Sequence, residues 1–197
     1  MDKELSEMTI EELWRLFPIS LVDHNDKWDV LYKEVETLLQ GLLSRFFDCR
    51  ISHIGSTAIS DIKAKNIVDV LVEIPCDANI EDVANLLGKN DFIRMSTTSN
   101  RISLNKGYTK YGFADKVYHI HLRFFGDNDE LYFRDYLNEF PKVAKEYELL
   151  KMGRWKKYEY DRDAYTEAKG EFIRKWTNEA LKKYKKQVLT NSHFTNR

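Results

Sequence analysis

Residues 66–74 read Asn-Ile-Val-Asp-Val-Leu-Val-Glu-Ile and are closed by Pro75. β-Branched and apolar residues fill the run almost without interruption, at a length that suits a strand better than a helix. Near-continuous hydrophobicity asks for burial on both faces, so this is a central strand of a sheet with a layer on either side. Asp69 sits inside it. A carboxylate among valines and a leucine must find partners when buried, which marks it as a structural or functional centre.

The surrounding pattern supplies the rest of such a sheet. Thr9 and Glu12 have the spacing of a capping box, so a short helix starts there and ends before Pro18. Trp28, Leu31, Tyr32, Val35, Leu38, Leu39, Leu42, Leu43 and Phe46 recur at three- and four-residue intervals, a long helix capped by Asn25 or Asp26. Residues 50–54 predict a short strand broken at Gly55. Asn79 caps a helix through Leu87 that Gly88 ends. Residues 92–96 and 101–105 predict two strands around a polar turn, and residues 116–125 alternate as another core strand. Residues 129–140, 142–158 and 162–186 read as three helices. In the last of these Tyr165, Ala168, Phe172, Trp176, Ala180 and Tyr184 share one face. Tyr165, Phe172, Trp28 and Trp176 read as core. The expected organisation is one domain over residues 1–187, with a sheet core at about 50–126, a helical part at about 129–187 and a loose tail at 188–197. The expected class is α+β, a mixed β-sheet flanked by helices with a helical C-terminal part.

Composition narrows the setting. Hydrophobic residues form 43% of the 197-residue chain and charged residues 32%, enough for a packed interior under a wet surface. No apolar run approaches the ~18–20 residues of a membrane span. Cys49 and Cys76 lack metal-ligand spacing and predict free thiols; with no signal-peptide pattern, the expected location is cytoplasmic, without membrane contact. Residues 1–48 carry about six excess negative charges and residues 142–187 about six excess positive ones. The basic excess reads first as a solvated helical face, and second as a surface for polyphosphate or nucleic acid.

The chemistry-bearing segment is Ile51-Ser-His-Ile-Gly-Ser-Thr-Ala58, followed by residues 63–73 with Asp69. A glycine lets a phosphate approach the backbone, and the neighbouring hydroxyls offer it hydrogen bonds, so Gly55, Ser56 and Thr57 are candidate phosphate-binding residues. An acid on the next strand could hold the divalent cation that accompanies a nucleoside triphosphate.

This run resembles the signature of the glutamate-rich protein B (GrpB) family, roughly His-Ile-Gly-Ser-Thr followed by Ala-Lys-Pro-Ile-Ile-Asp-Ile. The resemblance continues through Pro18-Ile-Ser-Leu-Val before the Trp28 helix, His119-Ile-His121-Leu, Leu131-Tyr-Phe-Arg-Asp-Tyr-Leu137, Glu146-Tyr147, Leu150-Lys151 and Tyr165-Thr-Glu-Ala-Lys169 with Phe172-Ile173. What it implies is a fold of the DNA polymerase β-like nucleotidyltransferase superfamily, in which a Gly-Ser turn, paired acids on the next strand and a third acid on a later strand hold two magnesium ions. Related domains are fused behind dephospho-CoA kinase, which makes an accessory role credible.

The chain departs from that pattern where it matters most. The second acid of the pair is Leu71, the later strand carries His119 and His121, and Asn66 stands where proline is common. Glu73 lies on the same strand face as Asp69 and is the candidate replacement, so Asp69 and Glu73 carry the expected catalytic roles. Asp69, His119 and His121, with His53 as a further donor, form the candidate metal set for magnesium, manganese or zinc. The alternative is an imidazole hydrogen-bonded to Asp69 or Ser56 with no metal. Lys65, Arg123 and Lys169 are candidate phosphate-neutralising cations, as is Arg134; each could equally serve in an ion pair. Three functions follow: nucleotidyl transfer from a nucleoside triphosphate to an unspecified acceptor; a module that binds a nucleotide, a CoA-type ligand or another phosphorylated small molecule without chemistry; and a metal-dependent hydrolase or phosphotransferase. Nucleic acid stays open as a partner.

Overall fold

The computed structural model describes residues 3–44 and 48–192, with no side-chain description from 185 onward. Phe46 and residues 193–197 lie outside the described residues. Helix α1 (Ile10–Leu16) opens with the expected capping box, in which Thr9 and Glu12 satisfy each other's backbone N–H groups. Such a cap is worth about 1 kcal/mol. Helix α2 (Lys27–Leu43) is capped through Asn25, whose side chain accepts from the Lys27 N–H. Strand β1 (Arg50–Ile54) leads through Gly55 and a 3₁₀ turn (Ser56–Ala58) to strand β2 (Val68–Ile74). Helix α3 (Ile80–Gly88) follows, capped by Asn79. Strands β3 (Ile93–Thr97), β4 (Arg101–Thr109) and β5 (Gly112–Phe124) complete the sheet. Helices α4 (Asp129–Glu139), α5 (Pro141–Trp155) and α6 (Arg162–Ser192) form the C-terminal part. The last helix continues six residues beyond the expected 186, so residues 188–192 of the anticipated tail are helical backbone.

The five strands lie in the order β1-β2-β5-β4-β3, with β2 and β5 parallel and every other pair antiparallel. This is a mixed sheet flanked by helices, an α+β fold. Period-two alternation divides β2 and β5 cleanly between two layers. Val68, Val70, Val72 and Ile74, with Tyr118, Ile120 and Leu122, face α2 and α3 and join Trp28, Val35, Leu39, Leu43 and Leu87 in one core. Among the described residues, that layer takes up the apolar stripe of α2 read from the sequence except Leu38, which is 39% exposed. Asp69, Leu71 and Glu73, with His119, His121 and Arg123, point to the other side.

On that second side a smaller cluster, including Ile59, Ile62, Phe133, Leu137 and Tyr147, packs α4, α5 and α6 over the Gly55 turn. A third patch of Phe17, Ile67, Tyr108 and Val117 receives Leu5, Leu13 and Leu16 from the N-terminal segment. The β4–β5 hairpin is longer than expected from both sides, because Gly107 (φ 93°) accommodates a register shift that keeps the two strands paired out to Thr109 and Gly112.

Candidate functional site

Asp69 is placed by register. It lies across from Ile54 on β1 and from His119 on β5, at the end of β1 where the chain turns through Gly55. Gly55 takes φ 71°, and a Cβ there would come within 2.5 Å of Asp69 Oδ2. Only glycine lets the turn pass this close to the carboxylate. One Asp69 oxygen, Oδ1, faces both imidazoles: His119 Nδ1 at 3.2 Å and His121 Nε2 at 3.3 Å. Burial alone would push this carboxyl up, but the hydrogen bonds from His119 and His121 outweigh it and hold Asp69 well below the usual carboxylate range.

His119 belongs to a longer chain of hydrogen bonds. Its Nε2 lies 2.8 Å from the Tyr108 hydroxyl, which accepts from Arg162 at 2.9 Å. The ionised Asp69 needs a donor at Nδ1, which leaves Nε2 to accept from tyrosine, so His119 is the neutral Nδ1–H tautomer. Burial pushes its pKa down to about 4, in keeping with that state.

The second-layer side of the sheet holds a cavity of about 1420 Å³ that Asp69, His119 and His121 line together with Gly55, Ser56 and Thr57. The basic residues that line the same space include these four: Lys65 after the turn, Lys151 from α5, and Arg162 and Lys169 from α6. Among the described residues none of the four forms an ion pair with a carboxylate. Burial, together with repulsion within the group, pushes Lys65 and Lys151 down to about 7 and Lys169 to about 8, while the Asp69 charge partly supports Lys65 and Lys169. Lys151 is held by the carbonyl of Lys63 and lies over the Tyr147 ring. The Tyr147 phenol, beside Ser56, is pushed up to about 12 by burial.

Several expected residues lie elsewhere. Glu73 is at the far end of β2, 1% exposed, and accepts from the Gly126 N–H and from Asn128 Nδ2, both at 3.0 Å. It ties down the approach to α4 and does not meet Asp69. Arg123 is buried beside Asp127 and Glu130, donates to the Leu122 carbonyl and does not line the cavity. Arg134 donates to the His53 carbonyl at 2.6 Å and anchors α4 to β1. His53 faces away from Asp69: its ring stacks on Tyr32 with centroids 4.8 Å apart, and its Nε2 meets Thr57 Oγ1 at 3.0 Å. Asn66 accepts from the Trp28 indole at 2.8 Å, a role that proline could not fill.

The donor set does not fit two magnesium ions. Those ions need several oxygen ligands, and Asp69 is the one carboxylate at this point, with Leu71 where a second acid would stand. The transition-metal set fares no better, since both His119 nitrogens are engaged and His121 is turned to the same Oδ1. Among the described residues no group of three or more histidine, cysteine, aspartate or glutamate side chains is arranged to hold an ion.

Residues missed from the sequence are Lys151, Arg162, Tyr108 and Tyr147. Lys151 carried a legible signal: it follows Tyr147 by four residues on the buried stripe of α5, as Lys169 follows Tyr165 on α6. A lysine on an apolar helical stripe is turned inward with its neighbours.

The family model described as GrpB protein matches residues 18–179. A glutamate-rich protein GrpB of Alkalihalophilus pseudofirmus is 32% identical over 168 residues, 82% of this chain and 95% of that one. The crystal structure of the conserved protein GrpB from Enterococcus faecalis superposes with a TM-score of 0.71 at 29% identity, covering 84% of this chain and 99% of that one. A slighter likeness, with a TM-score of 0.49 and 15% identity, links 72% of this chain to 44% of a cytoplasmic RNA terminal U-transferase. On the family match over residues 18–179 and the relative covered nearly end to end, this chain belongs to the GrpB family.

Proposed function

We propose that this chain binds a nucleoside triphosphate or a similarly polyphosphorylated ligand, with the anionic end beside the turn of Gly55, Ser56 and Thr57. The observation that carries the reading is the group Lys65, Lys151, Arg162 and Lys169, four cations turned into one cavity without carboxylate partners among the described residues. Holding like charges together away from water is costly, and a polyanion relieves that cost. Asp69 is spoken for by two imidazoles and keeps the Gly55 turn in place, so its chemistry in this reading is to fix the backbone that the phosphate meets. With Leu71 in place of the second acid and Glu73 engaged elsewhere, the donor set favours binding over nucleotidyl transfer by two protein-held metal ions.

The test is a thermal-shift panel of ATP, GTP, CTP, UTP, CoA and inorganic tripolyphosphate, each with and without magnesium, followed by calorimetric titration. A ligand at ~100 times its dissociation constant adds about 2.7 kcal/mol of stability, several degrees in a chain of this size. At least one polyphosphate should give that shift, and Lys65→Met should weaken it. A panel without a single shift would remove the proposal.

A further inference from the structure

The cavity is larger than its charged end requires. At about 1420 Å³ it exceeds the ~300–1000 Å³ usual for a small-molecule site, and a triphosphate beside the Gly55 turn would fill a fraction of it. The remainder is bounded by apolar side chains from two elements. Ile10, Leu13 and Trp14 come from α1, and Ile93 and Met95, flanking Arg94 at the register shift of β3, come from the edge of the sheet. Large apolar side chains left open to water are informative when they cluster around a cavity: Ile10 is 51% exposed, Ile93 43% and Met95 53%.

The α1 wall is firmly built. Leu5, Leu13 and Leu16 pack on Phe17, Ile67, Tyr108 and Val117, the capping box fixes the helix start, and Glu4 pairs with Lys110 of the β4–β5 hairpin at 2.8 Å. Ile10 and Trp14, one helical turn apart, are therefore held toward the cavity by Leu13 and Leu16 beneath them. This segment lies outside the stretch of residues 18–179 that the family model matches.

We infer that Ile10 and Trp14 of α1, together with Ile93 and Met95 of β3 that line the same cavity, form a subsite for the flat aromatic base of a nucleoside whose phosphates lie at the Gly55 turn. An indole and flexible apolar side chains around one space suit a planar ring, which gains stacking and loses little water. The inference rests on the phosphate reading above and adds the part of the ligand that the phosphate site does not see.

The experiment uses the full chain and separates the two readings. Inorganic tripolyphosphate and the four ribonucleoside triphosphates are titrated into the parent, Trp14→Ala and Met95→Ser, with melting temperatures measured to check folding. At least one nucleotide should bind the parent tenfold or more tightly than tripolyphosphate, as aromatic stacking on a base provides. Trp14→Ala and Met95→Ser should each erase most of that advantage and leave tripolyphosphate binding unchanged. If tripolyphosphate and all four nucleotides bind the parent alike, or if neither variant reduces the nucleotide's advantage, the base subsite is refuted while the phosphate site stands. If nothing binds, the phosphate proposal fails and the subsite falls with it. Should Trp14→Ala lose its fold, Met95→Ser on β3 decides alone.

Discussion

At the scale of single residues, Gly55 and Asp69 are one device. The glycine needs φ 71° and has its would-be Cβ 2.5 Å from Asp69 Oδ2, while Asp69 gathers His119 and His121 on its other oxygen. Gly55→Ala therefore strains the turn and displaces the carboxylate from both imidazoles. The expected outcome is a loss of several kcal/mol, read as a lower denaturant midpoint. Binding at the turn should be lost as well. A Gly55→Ala variant with parental stability would show that the turn and Asp69 are not coupled. Lys65 makes the opposite kind of prediction. Its ammonium is pushed down to about 7 by burial, Arg162 and Lys169, so replacing it by the uncharged Met relieves repulsion. Lys65→Met should melt higher than the parent near pH 7 and bind tripolyphosphate more weakly. A lower melting temperature would argue that Lys65 is held by partners rather than strained by neighbours.

Secondary-structure elements were legible in proportion to how much of their pattern is set by local chemistry. The α2 stripe, the β2 run and the caps at Thr9 and Asn79 are written in periodicity and in side chains that bond their own backbone, and among the described residues each stands where expected apart from the exposed Leu38. The ends of β4 and β5 were not legible. Residues 106–115 mix polar and aromatic side chains and are interrupted by Gly107 and Gly112, and they remain paired because the partner strand and the Tyr108 cluster hold them, a tertiary cause. The site divides the same way. Gly55, Ser56 and Thr57 form the turn that leaves β1 and Asp69 lies on the adjacent β2, so their convergence could be read from the motif. Tyr108 meets His119 across the paired β4 and β5 strands, and Arg162 reaches Tyr108 only through the docking of α6 on that hairpin, which no local pattern announces. Glu73 shows where strand parity misleads: it shares a face with Asp69, yet the loop before α4 takes its carboxylate first. Glu73→Ala should cost about 1–3 kcal/mol by leaving the Gly126 N–H and Asn128 amide without their acceptor. Polyphosphate affinity should stay at the parental value in a titration. A selective loss of affinity at unchanged stability would return Glu73 to the site.

For the molecule as a whole, the buried ionisable groups predict how stability follows pH. His53 and His119 are held neutral to about 4 by burial, against 6.5 when unfolded. Between those values the unfolded chain binds more protons than the fold, so stability falls as pH drops from about 6.5 to 4. Asp69 acts in the same direction at lower pH: its contribution is present above 3.8 and is lost as pH falls through its depressed folded value. Lys65, Lys151 and Lys169 act on the alkaline side. From about 7 or 8 up to 10.5 the unfolded lysines hold protons that the folded ones have released, so these groups make the ligand-free chain more stable as pH rises through that window. A bound polyanion reverses their preference, since each lysine is then favoured charged. Binding at pH 7.5 should take up protons, seen as a calorimetric heat that changes with the ionisation enthalpy of the buffer. The stabilisation given by tripolyphosphate should be larger at pH 7 than at pH 9. Lys65→Met should reduce the proton uptake and flatten the alkaline rise. A ligand-free melting temperature that does not rise from pH 7 to 9, with no proton uptake on binding, would show that the three lysines are not held below their ordinary pKa and would refute the charge strain on which the binding reading rests.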